Sequence, residues 1–306
     1  MKLLVTGATG QIGWELQRSL PALGTVVASD RAQCDFMRPE TIAAAIRDVH
    51  PDVVVNAAAY TDVDQAERDE TAATTVNAVS VGVLAAEAKR LGALLIHFST
   101  DYVFDGAKPN AYVETDPLRP LGAYGRSKLA GEDAVRTDGG DHLILRTSWV
   151  FAARRRNFVR TILRLARQPD PLRVVDDQRG TPNWARTLAD ATGGIVTRAV
   201  AERHSGSFAS GTFHLTASGA ASRHAFACAI VEGAARLDPQ AFRRRPEILP
   251  IATEDRPGTA RRPKNSQLDG SRLVARFGIA LPDWQSDLTR CLEEIIATEA
   301  RDGEPG

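Results

Sequence analysis

Cysteine is scarce in this chain: Cys34, Cys228 and Cys291 are far apart in sequence and odd in number. That pattern argues against a disulfide framework or a zinc site and fits a reducing cytosol. Net charge is missing too. Lys and Arg total 38 and Asp and Glu total 38, so no basic field offers itself to nucleic acid or to an anionic membrane. No apolar run approaches the ~18 residues of a membrane span, and the apolar start at residues 3–5 is too short for a signal peptide. The six histidines show no metal-ligand spacing, and His97 alternates within a strand as a core residue would. Repeats and low-complexity tracts are absent. A cytoplasmic globular protein with no nucleic-acid, membrane or metal partner is what remains. At 306 residues it is long enough for two domains.

What is present is an alternation of strands and helices. Residues 2–6 read as a buried strand, and Gly7, Gly10 and Gly13 follow at once before Ile12, Leu16 and Leu20 recur at helical spacing. Glycines there let a backbone approach a pyrophosphate, and the helix start offers free N–H groups and the positive end of its dipole. The spacing is G-x-x-G-x-x-G. A second strand, 25–29, ends at Asp30, about 20 residues on, where a carboxylate would accept from ribose hydroxyls. Arg31 could instead pair with a 2′-phosphate, so the cofactor is NADPH or NADH. Residues 34–36 are expected as a short third strand, 39–50 and 71–91 as helices, and 52–56, 94–99 and 142–146 as strands. Elements in this order make a doubly wound, Rossmann-like parallel sheet, and ligands in such sheets sit beyond the carboxyl ends of the strands.

Tyr124 and Lys128 are four apart, one above the other on a helix. A lysine so placed favours the phenolate and is expected to lower the tyrosine pKa from about 10. By itself the pair is a weak motif. Together with the glycine loop and with Thr100 at a strand end, it resembles the extended short-chain dehydrogenase/reductases. The resemblance continues through GATGQIGWELQ (7–17), PDVVVNAAAYTDVDQAE (51–67), STDYVFDG (99–106), YGRSKLAGE (124–132), LRTSWVF (145–151), DQRGTPN (177–183) and ARRPKNSQL (260–268), nearly the whole chain in order.

The resemblance implies reduction of the C4 keto group of a dTDP-linked 4-keto-6-deoxysugar by NADPH or NADH. Tyr124 would be the proton donor, Lys128 would bind the nicotinamide ribose, and Thr100 would bond the substrate oxygen. Gly7, Gly10, Gln11 and Ile12 would follow the pyrophosphate, Asp30 or Arg31 the ribose, and Asp35 and Phe36 the adenine. Ala59, Tyr60 and Thr61 would line the inner half of the cofactor, while Asp101, Tyr102 and Trp149 would face the sugar. An epimerase or dehydratase of nucleotide sugars, or a non-catalytic NADP-binding regulatory subunit, are the competing readings, and a homodimer is left open.

Residues 1–150 are read as the dinucleotide-binding domain. Residues 151–306 are read as mostly a smaller substrate-binding lobe, with about 156–200 returning to the first domain. The loop 254–265, with Arg256, Arg261 and Arg262, could grip a diphosphate. Three positions depart from the family pattern: Arg179 where an aromatic is usual, Asn183 where threonine is, and Arg186 where a magnesium-binding member would have glutamate.

Overall fold

The computed structural model describes residues 1–302 apart from 139, 169, 244, 256, 257 and 259. Six parallel strands form the central sheet: β1 (Lys2–Thr6), β2 (Thr25–Ser29), β3 (Val53–Asn56), β4 (Leu94–Thr100), β5 (His142–Thr147) and, from far along the chain, β10 (Gly211–His214). Their order across the sheet is β2-β1-β3-β4-β5-β10. A parallel sheet is covered on both faces, and the strands read accordingly as near-continuous apolar runs. Leu3, Val5, Val53, Val55, Leu94 and Ile96 point to one face. There they meet Leu16 of α1 (Gln11–Ser19), Leu188 and Ile195 of α8 (Ala185–His204) and Phe277 of α10 (Ser271–Phe277). Leu4, Val54, Leu95 and Ile144 point the other way. They meet Ile42 and Ile46 of α2 (Pro39–Val49), Leu84 and Ala88 of α5 (Ser80–Leu91) and Val135 of α6 (Ala123–Asp138).

A separate apolar core gathers α7 (Phe158–Ala166), α9 (Arg223–Leu237) and α11 (Trp284–Asp302). Around it run short strand pairs: β6 (Val150–Phe151) with β9 (Asn183–Trp184), β7 (Leu172–Val175) with β12 (Ile248–Ile251), and β8 (Arg179–Gly180) with β11 (Ala221–Ser222). Of residues 156–200, α7 therefore belongs to this second core and α8 to the first.

Two elements differ from the sequence expectation. Residues 34–36 form no strand, because turns close the chain there: the Cys34 N–H donates to the Asp30 carbonyl, and the Thr41 hydroxyl donates to the Asp35 carbonyl. The helix expected over 71–91 is α4 (Glu70–Thr74) running through a π-helical turn at Thr75–Val79 into α5. A wider turn of this kind bulges the backbone, and such bulges are frequent at functional sites. A short α3 (Val63–Arg68) precedes them, capped by Asp62.

Candidate active site

The glycine loop is built by close approach. Gly7 adopts the left-handed φ of 70°, and a Cβ there would fall 2.6 Å from the Ala58 nitrogen. At Gly13 a Cβ would fall 2.1 Å from the Gly7 carbonyl oxygen, so strand and helix touch through glycine alone. Gly10 then precedes α1 without any side-chain cap, which leaves the first N–H groups of the helix, from Gln11 onward, to an outside acceptor. A groove of about 180 Å³ runs from Gly7 and Gly10 past Asp30 and Arg31 to Asp35 and Phe36, with Ala59 on its other wall. Asp30 is half-buried and its carboxylate accepts from the Ala32 N–H at 2.8 Å; Arg31 is exposed. Cys34, buried under the groove, has its thiol pushed up to about 11 by burial. This cradle, filled by any side chain larger than hydrogen, fits the phosphates of a dinucleotide.

The second part of the site is the corner between β4 and α6. α6 starts where the Glu67 carboxylate accepts the Ala123 N–H at 2.7 Å. That fixes the register in which Tyr124, Ser127 and Lys128 face the sheet. Lys128 is buried and donates to the Phe98 carbonyl at 2.7 Å. Burial brings its ammonium down to about 8, against the opposing pull of the Glu132 carboxylate one turn on. Tyr124 moves in the direction opposite to the sequence expectation. Burial raises its phenol above the ordinary value, the Thr100 hydroxyl offsets part of this, and Asp101 and Tyr102 add to it. The physical reason is loss of water around the phenol, which sits edge-on to the Tyr102 ring, centroids 5.4 Å apart, beside the Asp101 carboxyl.

Thr100 closes the corner. Its hydroxyl donates to Asp101 Oδ1 at 3.0 Å and accepts from the Tyr102 N–H at 3.2 Å. Asp101 is buried, and its Oδ2 has no close hydrogen-bond partner among the described residues. Burial lifts its carboxyl to about 6, and the Ser266 and Thr100 hydroxyls and the Arg223 cation hold it from going further.

Trp149 stands at the mouth with a left-handed φ of 45°. Its ring lies against Gly180, where a Cβ would fall 2.5 Å from Cε2, and under the Arg223 guanidinium, 3.5 Å from the ring centroid. Arg262 pairs with Asp64 at 2.6 Å and reaches Tyr102; Arg261 is exposed, and Arg256 lies outside the described residues. Ala59, Tyr60 and Thr61 follow the end of β3, and Thr61 points to solvent.

Three residues that sequence reasoning missed or misjudged hold this arrangement. Asn77, in the π-turn, accepts the Tyr60 N–H at 2.8 Å, and its amide donates to the Tyr60 carbonyl and to Ser127 Oγ at 3.0 Å each. It therefore ties the 57–61 loop to the helix that bears Tyr124. Asn183, set apart as a substrate-side departure, is fully buried. Its amide donates to the Ser148 and Thr181 carbonyls at 2.8 and 2.9 Å and its oxygen accepts the Ala217 N–H at 2.6 Å, which locks the strand end before Trp149. Arg223, first residue of α9, had no signal beyond its place after the capping Ser222. The other departures are resolved locally. Arg179 is exposed and bonds Lys264 and Ser266 through its backbone, and the Arg186 guanidinium sits between Glu15 (3.0 Å) and Glu294 (2.9 Å).

A parallel sheet with a glycine cradle at its carboxyl edge, and a corner of buried Thr100 and Lys128 with half-buried Tyr124, defines a dinucleotide-binding protein of the Rossmann type. The chain belongs to the family described as RmlD substrate binding domain, whose model matches residues 1–297. It is 52% identical over 297 residues to the dTDP-4-dehydrorhamnose reductase of Burkholderia thailandensis, covering 97% of this chain and 100% of that one. To the dTDP-4-dehydrorhamnose reductase of Escherichia coli K12 it is 41% identical over 305 residues, covering 98% and 100%. Among solved structures it is similar to dTDP-4-dehydrorhamnose reductase from Bacillus anthracis in complex with NADP, with a TM-score of 0.86 at 31% identity over 96% of this chain and 99% of that one. The fold alone is shared with UDP-glucose 4-epimerase of Thermus thermophilus, TM-score 0.78 at 19% identity, covering 97% and 99%.

Proposed function

We propose that this protein is a dTDP-4-dehydrorhamnose reductase, reducing the C4 keto group of dTDP-4-dehydro-L-rhamnose to dTDP-L-rhamnose with NADPH or NADH. The observation that carries the reading is the corner in which Thr100, Tyr124 and Lys128 converge beside the glycine cradle, in a chain whose full-length relatives bear that name. Gly7, Gly10, Gln11 and Ile12 would hold the dinucleotide phosphates. Asp30 or Arg31 would take the adenosine ribose, Asp35 and Phe36 the adenine, and Ala59, Tyr60 and Thr61 the inner half. When bound, the dinucleotide supplies a hydride to the carbonyl carbon.

The chain's own residues handle the proton. A phenol held up by burial keeps its proton at neutral pH, so Tyr124 is a donor to the oxygen on which negative charge develops. Thr100, whose hydroxyl donates to Asp101 in the free protein, would turn that proton to the same oxygen, stabilising charge where it builds. Lys128, brought to about 8, is still mostly an ammonium at pH 7 and would hold ribose hydroxyls while keeping a positive charge under the site. Asp101, Tyr102 and Trp149 would face the sugar. The division into a nucleotide-binding part (1–150) and a substrate-binding part, a homodimer as the working assembly, and a cytoplasmic location belong to the same proposal; three unpaired cysteines support the last.

The test mixes the protein with dTDP-4-dehydro-L-rhamnose and NADPH and follows cofactor absorbance. Tyr124→Phe is expected to cut turnover by about 10²–10⁴ while leaving cofactor affinity nearly unchanged. Wild-type turnover in that variant would overturn the mechanism. No substrate-dependent oxidation in the native protein, with cofactor bound, would point to the regulatory-subunit reading. A dehydratase is disfavoured because Tyr102 follows Asp101 where such an enzyme wants a second carboxylate.

A further inference from the structure

A cleft of about 770 Å³ lies apart from the dinucleotide groove. It lies between the first turns of α1, the loop 152–156, α7 and the end of α11; it shares Gly10 with that groove and is also bordered by Gln11, so the two meet at the start of α1 and diverge from there. Its walls carry Arg154, Arg155, Arg156, Arg160, Arg164 and Arg167. Their acidic neighbours are already engaged: Glu15 and Glu294 by Arg186, and Glu299 by Arg160 and Arg167. Arg154 covers one face of the exposed Trp14 ring at 4.9 Å. Arg155, Arg156 and Arg164 are exposed and form no ion pair with a described residue, in a chain whose total charge is zero.

This concentration is built, not incidental to a loose loop. The Asn157 amide donates to the carbonyls of Ala152 (2.8 Å), Arg154 (3.3 Å) and Arg155 (3.2 Å), and Arg160 donates to that of Ala153 (3.0 Å). Four successive carbonyls are thereby bonded by two side chains at the start of α7, and the arginine side chains are left at the cleft. Arg155 is held at a φ of 64°, a conformation that costs a non-glycine residue about 1 kcal/mol or more and persists only where surroundings fix it. The loop also precedes the N-terminus of α7, the positive end of its dipole, so cations there repel the helix as well as one another. An anion would relieve both.

We propose that this cleft is a second anion site, separate from the dinucleotide groove, that takes the phosphate chain of a nucleotide. Its volume suits a nucleotide-sized ligand, guanidinium groups match phosphate oxygens in pairs, and the exposed Trp14 ring offers an apolar wall at the same cleft. The proposal does not depend on the reductase reading.

The probe is inorganic tripolyphosphate, titrated by calorimetry at constant ionic strength into the protein saturated with NADP+, and into the R155A/R156A/R164A variant under the same conditions. Saturable binding to the NADP+-loaded protein, weakened about tenfold or more in the variant, is expected. Tight NADP+ binding and turnover should be unchanged by the three substitutions. Tripolyphosphate that binds only in the absence of NADP+, or binds variant and native protein alike, would overturn the proposal. So would a variant whose NADP+ affinity falls in parallel, because the arginines would then serve the cofactor.

Discussion

Lys128 is a liability to folding as well as a candidate for chemistry. Its ammonium is buried with one hydrogen bond among the described residues, to Phe98, and its folded pKa of about 8 lies below the ordinary 10.5. The folded state therefore disfavours the charged form. The cost is fully present below pH ~8 and is relieved as the pH rises toward 10.5, because over that interval the unfolded chain keeps a proton that the folded chain has released. Lys128→Met removes the cost and loses one hydrogen bond. It is expected to stabilise the protein by about 2 kcal/mol at pH 7, with the advantage shrinking between pH 8 and 10.5, while turnover collapses. Urea unfolding at pH 7 and pH 10 reads both. A variant less stable than the native protein at pH 7, with a gap indifferent to pH, would mean that the burial of this charge is compensated by something other than Phe98. Asp101 is the mirror case: its carboxyl, raised to about 6, carries its burial cost above that pH. At pH 7 both sides of the corner are thus strained by charge, as expected where side chains are arranged to act on a ligand.

At the scale of elements, the decisive contact is between the π-turn and α6. Gly131 of α6 and Gly82 of α5 are both helical glycines, and propensity alone would have alanine improve either by roughly 0.5–1 kcal/mol. Space separates them. A Cβ at Gly131 would lie 2.0 Å from the Asn77 carbonyl oxygen, whereas at Gly82 it would lie 3.5 Å from the Ala134 Cβ, an ordinary contact. Gly131→Ala is expected to cost about 2–4 kcal/mol and to lower turnover by pushing α6, with Tyr124 and Lys128, off the turn that Asn77 anchors; Gly82→Ala should be neutral or mildly stabilising. Melting temperatures and kcat of the two variants decide it, and equal effects would refute the close-approach argument. The same contrast explains what could be read from the sequence. The strands were legible because a sheet buried on both faces writes itself as unbroken runs such as Val53, Val54 and Val55. The glycine loop was legible because its spacing lies within seven consecutive residues, although the close approach that demands Gly7 comes from Ala58. Residues 34–36 looked like a strand because Cys34 and Phe36 are apolar and alternate, but they are buried against α2 and α5 and pair with no neighbouring strand. Asn77 and Arg223 were illegible because their partners, Tyr60 and Ser127 for one and Trp149 for the other, lie 17 to 74 positions away. The expected drop in the Tyr124 pKa failed for a related reason: helical spacing sets which residues share a face, and the fold decides how far the phenol is shielded from water.

The two cores of the whole molecule are threaded through each other. The chain completes five strands of the sheet by Thr147, enters the second core through β6 and α7, and returns with α8 and β10. It leaves again with α9 and β12, and comes back with α10 before α11 ends in the second core. Neither core can be assembled from one continuous segment, so neither has an independent folding unit to retain when the other melts. Asn183 stands at one of the crossings, where β9 leads into α8, and it bonds the chain at Ser148, Thr181 and Ala217. Thermal unfolding followed by calorimetry is therefore expected to give a single transition. Asn183→Ala should lower that transition without splitting it, costing about 3 kcal/mol through the buried N–H and carbonyl groups left unpaired. Under the proposed function, NADPH at about 100 times its dissociation constant should raise the same single transition by close to 2.7 kcal/mol, although its groove is built from the first core alone. Two resolved heat-absorption peaks, with only the one belonging to the first core moved by NADPH, would show that the lobes fold separately and that the crossing at Asn183 couples nothing.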